Sequence, residues 1–105
     1  MRLVDIVARL ESVDRELCIV AKQPWTRESD AGLMRLTDEG RVPPQAKSEG
    51  YEYFLEVHVA LEDALPEIGV HLTSEQRFDA LLYYAKHDAS PPWLNMLCAA
   101  HRAGL

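Results

Sequence analysis

The stretch YEYFLEVHV, residues 51–59, alternates two sets of side chains along most of its length. Successive side chains of an extended strand point to opposite faces, so a period of two predicts a strand with one buried side. The residues predicted to face the interior are Tyr51, Tyr53, Leu55, Val57 and Val59. The residues predicted to face outward are Glu52, Phe54, Glu56 and His58.

A helix is the competing interpretation of this region. An apolar stripe with helical spacing is formed by Phe54, Val57, Leu61, Ala64 and Leu65. The strand is favoured because Tyr, Phe and Val have high β propensity and cluster here, and because Gly50 marks an entry point. Residues 60–65 have a helix-favouring composition that Pro66 should end.

The first third of the chain predicts one helix and two strands. Residues 2–12 carry an apolar stripe at i, i+3, i+4 and i+7, which is typical of a short amphipathic helix. Residues 16–22, ELCIVAK, are apolar on both faces and predict an interior strand that Pro24 follows. Residues 31–36 predict a second strand, paired with the first as a hairpin through a longer loop.

A long loop is predicted over residues 37–50. It contains the turn signal Asp38-Glu39-Gly40, the pair Pro43-Pro44 and several charges. Structureless loops of this length are uncommon and are usually functional or mobile.

Two helices are predicted after a connector at residues 67–72. Thr73 and Gln76 have the spacing of a capping box, so a helix should start there and run to about His87. Ser90 is the predicted N-cap of a last helix with Pro91 in its first turn, and Gly104 should end it. The predicted inner face of that helix contains Trp93, Leu94, Leu97, Cys98 and His101.

The order of these elements predicts an α+β fold. A small, mainly antiparallel sheet of about three strands would carry helices packed against it, with an N-terminal helix and a C-terminal helical pair. The chain has 105 residues, 48% of them hydrophobic and 27% charged, which is typical of a single folded domain spanning residues 1–105.

The charge balance disfavours some classes of partner. Seventeen acidic and eleven basic residues give a formal charge of −6, which repels the phosphates of nucleic acids and anionic lipids. A basic protein partner would instead be attracted. No apolar run approaches the ~20 residues of a membrane helix, and Arg2, Asp5 and Arg9 interrupt the segment where a signal peptide would be apolar. With two distant cysteines and no CxxC motif, the sequence predicts a cytoplasmic protein.

No familiar catalytic or cofactor motif is present, so no catalytic residue, metal or cofactor is predicted. One local group of titratable residues remains: Glu52, Glu56 and His58 would share one strand face and could converge on a metal or a water. His58 and Glu62 would be i, i+4 neighbours if the helical interpretation holds. The favoured interpretation is a solvated polar face of the strand.

Interaction surfaces are the other candidates. Trp25 and Trp93 are able to anchor an interface, although packing against the core is the favoured role for both. The residues predicted to contact a partner protein are Trp25, Asp38, Glu39, Glu49, Glu52, Glu56 and His58. A small sheet also has edges that must be covered, charged or paired, so a homodimer is a further hypothesis.

Three segments, CIVAKQPWT, VPPQAKSEGYEYFLEV and LLYYAKHDA, together resemble a family of small uncharacterised bacterial domains. The resemblance covers most of the chain and implies a cytoplasmic domain, but it transfers no activity, cofactor or site residue. In size and charge the chain also resembles immunity proteins, which neutralise a toxin by covering its active surface.

Two functional hypotheses follow. The first is a non-catalytic protein-binding module, with neutralisation of a partner toxin as a candidate role. The second is a small enzyme or metal-binding protein that uses Glu52, Glu56 and His58.

Overall fold

The computed structural model describes residues 1–66 and 70–104, and these include three strands in one antiparallel sheet. The strands are β1 (Cys18–Lys22), β2 (Ala31–Met34) and β3 (Tyr51–Glu56), in the order β2-β1-β3. β1 lies in the middle of the sheet, as its two apolar faces predict. β1 and β2 are the first and second strands of an antiparallel hairpin. The predicted α+β fold is therefore confirmed.

The helical segments surround this sheet. They are α1 (Leu3–Ala8), α2 (Pro44–Ser48), α3 (Val57–Val59), α4 (Ser74–His87) and α5 (Pro92–Arg102). A 3-10 turn, Leu10–Ser12, follows α1, and a π turn, Ala60–Ala64, continues α3. Within the described residues no helix is long and apolar enough to cross a membrane. Residues 67–69 of the predicted connector lie outside the described residues.

The hydrophobic core lies between one face of the sheet and the helices α1, α3 and α4. Its large members are Leu3, Ile6, Leu10, Ile19, Phe54, Leu55, Val57, Phe78 and Leu81. Burial of each such side chain contributes about 1.5–3 kcal/mol, so this cluster is the main source of stability. Arg77 links α4 to α1 because its Nε donates to the carbonyl of Val7 at 3.2 Å.

A β-bulge in β3 changes the predicted alternation of residues 51–59. Ile19 of β1 pairs with Leu55, but the next residue, Val20, pairs with Tyr53, so Phe54 is an extra residue without a partner. Phe54 (1% exposed) and Leu55 are both buried, whereas Tyr53 is 41% exposed. The prediction that Tyr53 faces the interior and Phe54 faces outward is therefore wrong.

The predicted strand also ends earlier than expected. β3 stops at Glu56, and the chain continues as α3 and the π turn, in which the amide of Leu65 donates to the carbonyl of Ala60 at 3.0 Å. The competing helical interpretation is therefore correct after residue 56. Val57, Ala60 and Ala64 are fully buried, so the helical stripe, rather than the alternating one, packs on the core here.

The predicted loop over residues 37–50 contains a turn and the short helix α2. The amide of Thr37 donates to the carbonyl of Arg41 at 2.8 Å, which closes the turn. Pro44 begins α2 because its fixed φ suits the first turn and its missing N–H has no intrahelical acceptor to lose. The loop is thus shorter than the sequence predicts.

The predicted capping box of α4 is confirmed. The amide of Gln76 donates to Thr73 Oγ1 at 3.1 Å, and the amide of Thr73 donates to Gln76 Oε1 at 2.9 Å. We expect Thr73→Ala to lower the free energy of unfolding by about 1 kcal/mol, because an amide of the first turn loses its acceptor. Urea unfolding followed by circular dichroism would measure this loss. Ser74→Ala, one residue later, is the matched control, and equal losses in both variants would contradict the cap.

The last helix differs from its prediction in two ways. α5 begins at Pro92 with Pro91 as N-cap and no side-chain cap, so Ser90 does not have the predicted role. Of the predicted inner face only Leu94 is buried, while Trp93 and Leu97 are 37% and 36% exposed. The predicted helix does form, but most of its apolar face lies at the surface of the protein.

Candidate functional site

A groove lies beside β3, and we call it the β3 groove. It is open, has a volume of about 780 Å³, and is formed by residues between 40 and 48 on one side and by Tyr51, Glu52 and Tyr53 on the other. Consecutive side chains of a strand point to opposite faces, so contact with all three places the groove along the strand edge. β1 pairs with the other edge, and the groove therefore follows the edge that no strand of the described sheet covers.

Local sequence positions α2 as the wall of this groove. Gly50 adopts φ +97°, a conformation that side chains with a Cβ rarely take, and it turns the chain from α2 into β3. Its amide donates to the carbonyl of Lys47 at 3.0 Å. Ala46 is the buried residue of α2. A short helix and a glycine turn thus hold Lys47 close to the start of β3.

Two tyrosines of β3, Tyr51 and Tyr53, belong to the groove lining. The register places Tyr51 opposite Lys22 and Tyr53 opposite Val20, on the sheet face away from the core. Lys22 Nζ lies 5.0 Å from the centroid of the Tyr51 ring, within the range of a cation–π contact. Burial, with a smaller contribution from the Glu56 carboxylate, raises the pKa of Tyr53 to about 12. Tyr53 therefore remains a neutral hydrogen-bond donor at physiological pH.

The groove lining contains two cations, Arg41 and Lys47, that have no carboxylate partner among the described residues. Most other basic side chains differ in this respect. Those paired with carboxylates at N···O distances of 2.6–3.6 Å are Arg2, Arg15, Lys22, Arg27, Arg35 and Arg77.

Four of the predicted acidic contact residues lie in or next to this region. Glu52 lines the groove, Glu39 and Glu49 are sequence neighbours of the lining residues Gly40 and Ser48, and Asp38 precedes Glu39. All four are exposed. Glu52 thus shares the groove lining with Arg41 and Lys47, and the other three carboxylates flank that lining in the sequence.

Trp25 has a different environment. Its ring meets Phe54 edge-on, with centroids 5.0 Å apart, and its Nε1 donates to the carbonyl of Ala21 at 3.2 Å. The ring is half-buried against the core, which is the role that the sequence favours for it.

The predicted cluster of Glu52, Glu56 and His58 is divided by the bulge. Glu52 pairs with Ala21, on the core-facing side of the sheet, whereas Glu56 pairs with Cys18, on the opposite side. The prediction that the three side chains share one face is therefore wrong. Glu56 and His58 do meet, with Oε2 and Nδ1 3.5 Å apart.

Neither of the two protonated groups described beside Glu56, the Tyr53 hydroxyl and the Cys18 thiol, is an activated nucleophile. The Tyr53 hydroxyl donates to Glu56 Oε1 at 3.4 Å. Burial, and then the Glu56 carboxylate, raise the pKa of the Cys18 thiol to about 12. A thiol must lose its proton to act as a nucleophile or a metal ligand, so Cys18 is inert near neutral pH.

A metal centre finds little support in the same region. Among the described residues, no group of three or more His, Cys, Asp or Glu is arranged to hold a metal ion. The helical alternative, His58 with Glu62, gives no ion pair among the described contacts: His58 lies against Glu56, and Glu62 Oε1 accepts from Arg15 at 3.2 Å.

Sequence reasoning missed the two tyrosines and the two cations of the groove. Strict alternation assigned Tyr51 and Tyr53 to the interior, and Arg41 and Lys47 were counted only as loop charges. The amphipathic nature of tyrosine, an apolar ring with a polar end, was the available signal that these residues suit a partly exposed site.

Comparisons with protein-family models, with curated proteins and with solved structures each gave no match to this chain. The resemblance to small bacterial domains and to immunity proteins therefore stays a prediction.

Proposed function

We propose that this chain is a non-catalytic protein-binding module that docks a partner protein at the β3 groove. The observation that carries the proposal is an open groove of about 780 Å³ along β3 whose lining includes Tyr51 and Tyr53. Tyrosine provides a large contact area with only two rotatable side-chain bonds, so little conformational entropy is lost when it is immobilised. Rings of this kind are enriched among the residues that dominate binding energy.

Neutralisation of a toxin in the cytoplasm is the biological role that we propose for this module. The support is the small size, the charge of −6 and the exposure of Asp38, Glu39 and Glu49 next to the groove. Charges of one sign at the edge of an interface accelerate association with a partner of the opposite sign. A basic partner would be attracted to this surface as a whole.

The alternative is a small enzyme or metal-binding protein that uses Glu52, Glu56 and His58. It has less support, because the bulge places Glu52 and Glu56 on opposite faces of the sheet. The raised pKa of Cys18 removes the neighbouring thiol as a nucleophile.

A capture experiment with matched variants tests the binding function. We expect the immobilised wild-type chain to retain a stoichiometric partner from a native lysate at low salt. Tyr53→Ala should make the binding free energy less favourable by about 2 kcal/mol, which raises Kd roughly thirtyfold, because a central aromatic contact is lost. The captured amount of partner should fall accordingly. Met96→Ala, at an exposed position on α5, is the control and should retain the partner.

Thermal unfolding of both variants must be measured alongside, so that loss of retention is separated from loss of folding. Absence of any stoichiometric partner, or full retention by the folded Tyr53→Ala variant, would contradict the proposal.

A further inference from the structure

The backbone groups of Tyr51 and Tyr53 point away from β1. The amide of Lys22 donates to the carbonyl of Asp30 at 2.9 Å, so Lys22 forms its backbone hydrogen bond towards β2. Neighbouring residues of a strand direct their backbone groups to opposite edges, so Ala21 bonds towards β3, where its partner is Glu52. The amides and carbonyls of Tyr51 and Tyr53 must then face the β3 groove.

The two edges of the sheet differ in how they are covered. At the β2 edge, only the start of the strand is covered: the amide of Ala31 donates to the carbonyl of Met1 at 2.7 Å, and just before β2 the amide of Leu3 donates to the carbonyl of Ser29 at 2.9 Å. At the β3 edge, no comparable hydrogen bond from another described residue reaches the backbone of Tyr51 or Tyr53. Unpaired edge groups of this kind are a template for pairing with another strand.

The charge of the groove lining defines the chemistry that fits there. Arg41 and Lys47 contribute two positive charges to the lining and Glu52 one negative charge, so the lining itself is net positive, while the exposed Asp38, Glu39 and Glu49 flank it in the sequence. Neither cation is neutralised by a carboxylate among the described residues. Carboxylates on a bound segment would supply the missing partners.

We propose that an extended, acidic segment of a partner protein adds to β3 as a fourth strand, with carboxylates against Arg41 and Lys47. This inference rests on the proposed binding function and names the chemistry of the docked segment. Main-chain hydrogen bonds to Tyr51 and Tyr53 supply affinity, and the side chains at alternate positions supply specificity. The net charge of the chain attracts a partner protein that is basic overall. The acidic segment is the part of that partner that would enter the groove, where Arg41 and Lys47 lie.

Peptide binding tests the proposal directly. The probes are a fluorescein-labelled heptapeptide that alternates Val and Glu, the same peptide with Lys in place of Glu, and the Val/Glu peptide with N-methylated amides at alternate positions. By fluorescence anisotropy we expect the Val/Glu peptide to bind at least about tenfold more tightly than the other two. N-methylation leaves every side chain in place and removes only the donors that a fourth strand needs.

Charge reversal in the protein provides the matched comparison. Lys47→Glu should weaken binding of the Val/Glu peptide by about tenfold, because an ion pair is replaced by like-charge repulsion. Lys86→Glu, at an exposed position on α4, changes the net charge by the same amount and should leave binding unchanged. Thermal unfolding confirms that both variants are folded.

Hydrogen exchange locates the new pairing. In the unbound protein the amides of Tyr51 and Tyr53 should exchange faster than that of Glu52, which bonds to β1. The Val/Glu peptide should slow exchange at both tyrosines by at least about tenfold. If a second copy of the chain covers this edge instead, both amides are already protected without peptide and the protein sediments as a dimer, which overturns the proposal.

Equal binding of the Val/Glu and Val/Lys peptides, equal binding of the N-methylated peptide, or no binding of any probe also overturns it. These failures are distinguishable from failure of the proposed function. A native partner that is captured by the wild-type chain and lost by Tyr53→Ala supports docking at the groove even when no peptide adds as a strand.

Discussion

Phe54→Ala is expected to lower the free energy of unfolding by about 3–5 kcal/mol, the cost of truncating a fully buried aromatic side chain. Phe54 is 1% exposed, and its ring contacts Trp25 as well as the core. Truncation therefore removes apolar contacts and leaves a cavity beneath the bulge. Urea unfolding followed by circular dichroism gives the loss.

Tyr53→Ala, at the adjacent position, is the control for this prediction. Tyr53 is 41% exposed, so we expect a much smaller loss, within about 1 kcal/mol. The comparison tests the bulge itself, because a strand without it would place Tyr53 inside and Phe54 outside. A larger loss for Tyr53→Ala than for Phe54→Ala would contradict the register described above.

The stability of the protein should fall in alkaline solution because of Cys18. The side chain is fully buried, and its pKa is raised from 9.0 to about 12, first by burial and then by the Glu56 carboxylate. A raised pKa in the folded state gives stability that is complete below pH 9.0 and is lost as the pH rises towards 12. Over that window the free energy of unfolding should fall by up to about 1.4 kcal/mol for each pH unit.

Urea unfolding of the wild type and of Cys18→Ala at about pH 8 and about pH 11 measures this contribution. Both proteins share the titration of the remaining groups, so the wild type should lose more stability than the variant between the two pH values. Cys98→Ala removes the less buried thiol and should follow the wild type. Parallel losses in the wild type and Cys18→Ala would show that Cys18 does not titrate as described.

Reaction with iodoacetamide gives an independent measurement. Only the thiolate reacts, so a shift from 9.0 to about 12 should slow alkylation of native Cys18 by about a thousandfold. Cys98 should react first, and both thiols should react once the protein is unfolded.

Local signals in the sequence predicted much of this fold. The apolar period of residues 2–12, the apolar run that became β1 and the capping box at Thr73 each depend on neighbours within a few residues. Such patterns indicate the type of an element without knowledge of its tertiary contacts. The α+β class, the central position of β1 and the start of α4 could therefore be predicted.

The bulge could not be predicted, because it is a property of the pairing between β3 and β1. One extra residue in β3 reverses the facing of every residue before it relative to those after it. Phe54, an aromatic residue among the polar positions, was the one sign of a break in the pattern. Because of this shift in register, Glu52 and Glu56 of the predicted cluster with His58 lie on opposite faces of the sheet.

Of the residues that line the candidate groove, the sequence singled out only Glu52 as a contact residue, and its role stays a prediction. Arg41 and Lys47 lie six residues apart in a segment without a clear period, and only the fold shows that they line one groove. The surface position of α5 was equally inaccessible, because a helical apolar stripe does not reveal whether another element covers it.

The two tryptophans of the chain make separate optical reporters. Trp25 is half-buried against Phe54, whereas Trp93 is 37% exposed on α5. Acrylamide should therefore quench the emission of Trp93 more strongly than that of Trp25. A Trp93→Phe variant would leave Trp25, beside the sheet, as the one indole. The emission maximum of this variant would then report unfolding of the core without the overlapping emission of Trp93 in α5.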